Sequence, residues 1–120
     1  MTAPSSRYEA FQSFRATLNE EILERGTTNT KRFFNLDTKA FDAGALDNKA
    51  KELIGLAASM VLRCDDCIAY HVDQAVQSGA TDEELWETFD ISLVVGGSIM
   101  IPHLRRAVAF LDECRARQNA

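Results

Sequence analysis

"LDNKAKELIGLAASMVLRCDDCIAYHVDQAVQSGATDEELWETFDIS", residues 46–92, decides the fold. Asp47 is placed to cap a helix over residues 48–63, with an apolar stripe of Ala50, Leu53, Ile54, Ala57 and Val61. That period puts Glu52, Gly55 and Ser59 on the opposite side and leaves Glu52 in solvent. A second helix starts near Asp65 and runs to Ser78, with Gly79 as its terminal glycine. Thr81 and Glu84 then form a capping box, and Leu85, Trp86, Phe89 and Leu93 carry the next helix toward Met100.

The flanks read the same way. Tyr8, Phe11, Phe14, Leu18 and Ile22 recur at helical spacing over residues 6–25, with Ser5 or Ser6 as the cap and Gly26 as the stop. The segment that follows has room for a short helix and for turns near Gly44, with Phe33, Phe34 and Phe41 as anchors to the core. Pro102 suits the first turn of a last helix reaching about Arg117. Few runs alternate with period two, so the expectation is an all-α protein of five or six helices in one domain, residues 1–120. Gly96 and Gly97 fall inside the helix drawn toward Met100, where each costs about 1 kcal/mol relative to alanine. Close approach of another helix would compensate, and the apolar surroundings predict a homo-oligomer.

Composition narrows the function classes. The 120 residues are 46% hydrophobic and 26% charged, which is globular, and the net charge of −5 lacks the basic footprint of a nucleic-acid binder. The longest apolar run, ISLVVGGSIMIP at residues 91–102, is shorter than the roughly 20 residues a bilayer needs. The opening MTAPSSRYEAFQSFR has no apolar signal core, so the expected compartment is the cytoplasm. There, paired cysteines are more often catalytic or metal-binding than structural.

Three chemical groups share one helix face. Cys64, Cys67 and His71 stand at i, i+3 and i+7, within roughly 60° of one another, and His71 is one turn from Cys67. Cys64 lies at the helix start, where unpaired N–H groups and the dipole favour a thiolate. A redox pair, a zinc clip completed by His103 or Cys114, and plain packing all fit these residues. His103, Arg105 and Arg106 at the start of the last helix suit an anion contact, a subunit contact or an exposed polar turn. Cys114, Tyr70 and Trp86 read as structural or packing residues.

The stretch quoted above resembles the carboxymuconolactone decarboxylase and AhpD-like family over about residues 45–100. The peroxidase-type branch carries Glu-x11-Cys-x2-Cys-x3-His, and Glu52, Cys64, Cys67 and His71 meet that pattern. The resemblance implies a thiol–disulfide oxidoreductase that reduces hydroperoxides, needing no cofactor and no metal. Cys67 would be the peroxide-reactive thiol, Cys64 the resolving one, and Glu52 with His71 a proton relay. It also implies a homotrimer or homohexamer and an outside dithiol or reductase as electron donor. Asp66 stands where the best-known members have a histidine, and a carboxylate there raises a neighbouring thiol pKa. That lowers the expected peroxidase efficiency more than the redox cycling. The other readings are a zinc-binding or interaction module, and a decarboxylase-type enzyme acting on a carbocyclic acid or lactone.

Overall fold

The structure is a computed structural model, described here for residues 6–119. Pro4 and the alternative cap Ser5 lie outside the described residues. Within them are six α-helices, one 3-10 turn and no strand, as the periodicity predicts. The helices are α1 (Arg7–Arg25), α2 (Thr28–Ala40), α3 (Asn48–Val61), α4 (Asp65–Gln77), α5 (Asp82–Gly96) and α6 (Ile101–Gln118). None is long and apolar enough to cross a membrane.

The chain divides into two compact units, residues 1–43 and 44–120. In the first, Ser6 caps α1 by accepting from the Glu9 amide, and Gly26 closes it by donating to the Ile22 carbonyl. Thr27 and Thr30 form a reciprocal capping box for α2. With threonine at the third position in place of glutamate, that box is hard to see in the sequence, and α2 is longer than the expected short helix. Phe34 and Phe41 are half-buried, but Phe33 is 66% exposed and is no core anchor.

The second unit holds the core. Leu56, Met60, Ile68, Val72, Leu85, Phe89, Met100 and Phe110, drawn from α3 to α6, are almost fully buried. Each such side chain contributes about 1.5–3 kcal/mol by leaving water. The expected caps are in place: the Asp47 carboxylate accepts from the Ala50 amide at 2.7 Å, and Thr81 and Glu84 close the box at the start of α5. Lys49 and Glu84 pair at 2.8 Å and tie the starts of α3 and α5 together.

Two expectations are corrected. The side of α3 that is buried carries Glu52, Leu56, Ser59 and Met60, whereas Ile54 of the expected stripe is exposed and Ala50, Leu53, Ala57 and Val61 are half-buried. The helix has two apolar faces, and periodicity alone chose the less buried one. The helix drawn toward Met100 instead stops at Gly96. Gly97 has φ +81°, a left-handed conformation that suits glycine, and Ser98–Met100 form a 3-10 turn into α6. A Cβ at Gly96 would stand 2.6 Å from Met100 Cγ, so this glycine makes room for the buried methionine. The glycines are therefore a corner, not the middle of a helix.

Candidate functional site

The site is built on the corner between α3 and α4. The Arg63 amide donates to the Met60 carbonyl and the Cys64 amide to the Ser59 carbonyl, which is the Schellman closure of a helix. Arg63 occupies the left-handed position of that motif at φ 59°, where glycine is usual. The same closure at the end of α4 does use a glycine, Gly79 at φ 90°. Cys64 thus closes α3 through its backbone. Its side chain then opens α4 as the N-cap, the sulfur accepting from the Cys67 amide at 3.3 Å.

The sulfurs of Cys64 and Cys67 are joined as a disulfide, with Cα atoms 5.2 Å apart. Cys67 belongs to the exposed residues and Cys64 is half-buried. One turn further along α4, His71 turns toward α3 and its Nδ1 lies 2.8 Å from Glu52 Oε1. Glu52 is only 3% exposed, although the helical period of α3 leaves it in solvent. Its burial is compensated because the imidazole supplies a partner. A carboxylate can only accept, so Nδ1 donates, and in the neutral ring Nε2 keeps its lone pair.

Gly55 makes this meeting sterically feasible. A Cβ there would stand 2.8 Å from His71 Cε1 and 3.0 Å from each ring nitrogen. The ring edge therefore rests directly on the backbone of α3. The ring of Tyr70 packs edge-on beside His71 at 5.1 Å. Further along, Ser92 of α5 is fully buried and donates to the carbonyls of Thr88 and Ala57, the second on α3.

The four residues of the Glu-x11-Cys-x2-Cys-x3-His pattern thus fall on two adjoining helices: Cys67 and His71 on α4 with Cys64 as its N-cap, and Glu52 on α3, hydrogen-bonded to His71. His103 and Arg106 are neither idle nor merely an exposed turn. His103 Nδ1 lies 2.8 Å from Asp65 Oδ1, and Arg106 Nε donates to Asp65 Oδ2 at 3.0 Å. Burial pushes the Asp65 carboxyl up, but the His103 hydrogen bond and the Arg106 charge outweigh it and hold it below its ordinary value.

Cys114 lies apart from the pair, buried on α6, with its sulfur 3.9 Å from Asp73 Oδ1. Burial, reinforced by the Asp73 charge, pushes its thiol up to about 12. Asp73 is itself buried and accepts from Gln77 Nε2 at 2.9 Å, a polar group in the core that no spacing announced. Among the described residues, no three His, Cys, Asp or Glu side chains converge as a metal-ligand set, so the zinc reading gains no support from the geometry.

Residues 28–113 match the carboxymuconolactone decarboxylase family. An uncharacterized protein encoded in the cox locus of Paracoccus denitrificans is 33% identical over 93 residues, covering 78% of this chain and 84% of that protein. A crystal structure from Thermotoga maritima superimposes with a TM-score of 0.88 at 61% identity, covering 92% of this chain and 93% of the other. That protein is of the same family, and a part in the antioxidative response has been suggested for it. The apo form of a Legionella pneumophila protein of this family superimposes with a TM-score of 0.84 at 28% identity, covering 92% of this chain and 98% of its own.

Proposed function

The chain belongs to the carboxymuconolactone decarboxylase family, and from that premise we propose that it is a thiol–disulfide oxidoreductase that reduces hydroperoxides. The observation that carries this reading is the Cys64–Cys67 pair at the start of α4, with the Glu52–His71 hydrogen bond one turn away. The antioxidative role suggested for the Thermotoga maritima relative points the same way.

The reaction needs only groups of this chain and a peroxide. The Cys67 thiolate attacks one oxygen of the hydroperoxide, forming an S–O bond as the O–O bond breaks. The departing alkoxide takes back from His71 Nε2 the proton that the Cys67 thiol gave up on ionising, with Glu52 holding the ring in place. Cys64 then attacks the Cys67 sulfenic acid; an S–S bond forms, the S–O bond breaks, and the departing hydroxide leaves as water with the proton that the Cys64 thiol gave up. The dithiol has lost two electrons and the peroxide has gained them. The resolving step keeps Cys67 from irreversible over-oxidation. An outside dithiol or dithiol reductase returns the pair to its reduced state by exchange. Exposure favours Cys67 as the attacking thiol, and the N-cap hydrogen bond favours Cys64 as a stable thiolate in the resolving step.

We further propose that the protein works as a homotrimer or homohexamer in the cytoplasm. Ile91, Val94, Val95 and Ile99 support the assembly, Val94 being 83% exposed and Val95 67% in the single chain. Four large apolar side chains left exposed within one short stretch of chain are unfavourable in a free monomer. Light scattering of the purified protein tests it, and a monomer at micromolar concentration refutes it.

The function is tested by intact mass and thiol count before and after mild peroxide. The reduced protein should lose two hydrogens as the Cys64–Cys67 bond forms. Glu52→Gln and His71→Asn should slow that loss by roughly 10²-fold, the scale of a lost general acid–base group. Oxidation at the unaltered rate in both variants refutes the relay. Activity on a lactone that survives conversion of both cysteines to serine refutes the redox reading altogether.

A further inference from the structure

Asp65 directly follows Cys64 and is the first residue of α4, where the helix dipole already favours a carboxylate. Yet both of its oxygens are held from α6: Oδ1 by His103 at 2.8 Å and Oδ2 by Arg106 at 3.0 Å. These partners lie 38 and 41 residues away in the chain, and the His103 side chain is only 16% exposed. A helix start that needs only a carboxylate does not require such a grip. At the same helix start the Cys67 amide is taken by the Cys64 sulfur.

We propose that His103 and Arg106 are positioning residues for the redox pair: by holding both oxygens of Asp65 they neutralise the charge beside Cys64 and reserve the start of α4 for its sulfur. This rests on the reading of Cys64 and Cys67 as a working dithiol. Without the grip, the Asp65 carboxylate stands one residue from a sulfur that must ionise, and like charges oppose each other. With it, the net charge of the Asp65–Arg106 couple is zero. Other charged groups adjoin the pair in the chain or through His71: Asp66 on the same helix, Arg63 in the preceding corner, and Glu52 of α3 hydrogen-bonded to His71. The direction of the Asp65 pKa, held below its ordinary value, agrees with a carboxylate kept ionised by its partners.

The test is a pH titration of the reduced full-length protein, followed by ultraviolet thiolate absorbance up to about pH 10, below the range in which the buried Cys114 ionises. Arg106→Met should raise the midpoint of the more acidic thiol by roughly half a unit to one unit, and His103→Gln should raise it by less. Asp65→Asn should lower it or leave it in place. In the Asp65→Asn background, Arg106→Met should produce no further rise, because the cation acts through the carboxylate. Arg106→Lys keeps the charge and should stay near wild type, which separates loss of charge from loss of fold. The inference is overturned if Arg106→Met titrates like wild type, or if its shift persists undiminished with Asp65 gone. Should the titrations behave as expected while hydroperoxide leaves the dithiol intact, the inference stands and the peroxidase reading fails. Peroxide turnover with a titration insensitive to Arg106 upholds the peroxidase reading and removes the positioning role.

Discussion

Replacing Gly55 with alanine should separate stability from chemistry in this protein. Two opposing terms set the outcome. Alanine in the middle of α3 is favoured over glycine by about 1 kcal/mol through helix propensity. Against this, the new methyl would stand 2.8 Å from His71 Cε1, where carbon atoms prefer at least about 3.5 Å. An overlap of about 0.7 Å must be relieved, and the backbone of α3 cannot yield without disturbing Leu56 and Met60 beneath it. The ring must therefore move, and it is tied at 2.8 Å to Glu52. Overpacking of this kind costs about 1–3 kcal/mol. The net destabilisation is then about 0–2 kcal/mol, or a fall in melting temperature of up to roughly 8 °C for a chain of this size. Catalytically the effect should be larger, because a ring displaced by half an ångström no longer holds its proton at the working position. Urea unfolding at fixed protein concentration gives the first quantity, and the peroxide-driven loss of thiols gives the second. Gly44→Ala is the control, since its Cβ would meet only Lys51 Nζ at 3.7 Å. If Gly55→Ala gains the full helix-propensity increment and oxidises at the wild-type rate, the account of Gly55 as the seat of the imidazole is wrong.

Other expected outcomes follow from single features. Arg63→Gly should stabilise the fold by about 1 kcal/mol in denaturant unfolding, because it relieves a left-handed conformation that an L side chain disfavours. Cys114 should resist alkylation in the native reduced protein while two thiols react, and should be modified only in denaturant, since its thiol is buried and pushed up to about 12. Asp65 has a folded pKa below its unfolded value, so its contribution is present above the ordinary carboxylate range and is lost as pH falls through the folded value. Wild type should therefore exceed Asp65→Asn in stability near neutral pH, with the gap closing as acid unfolding curves are taken below about pH 4.

Local signals in the sequence predicted local structure well. Asp47, Thr81 with Glu84, and Gly79 mark helix ends through contacts spanning three or four residues, and each cap is where the spacing puts it. The Cys64, Cys67 and His71 grouping needs only one helix period. What spacing could not supply are choices made between helices. Period alone put Glu52 in solvent, because the partner that compensates its burial is 19 residues away. The grip of His103 and Arg106 on Asp65 is equally distant, and Asp73 is buried against a cysteine from another helix. Gly96 and Gly97 were ambiguous for a different reason. Glycine marks both a close approach and a left-handed corner, and only the room required by Met100 and the φ of Gly97 decide between them.

Cys64 finishes one helix with its amide and starts the next with its sulfur, so no slack residue lies between the carboxylate-bearing rod and the imidazole-bearing rod. A joint of that kind transmits no swing. Making or breaking the sulfur bond should leave both rods where they stand, and a reducing partner would have to read the sulfurs themselves, since no altered outline would advertise that the couple is spent.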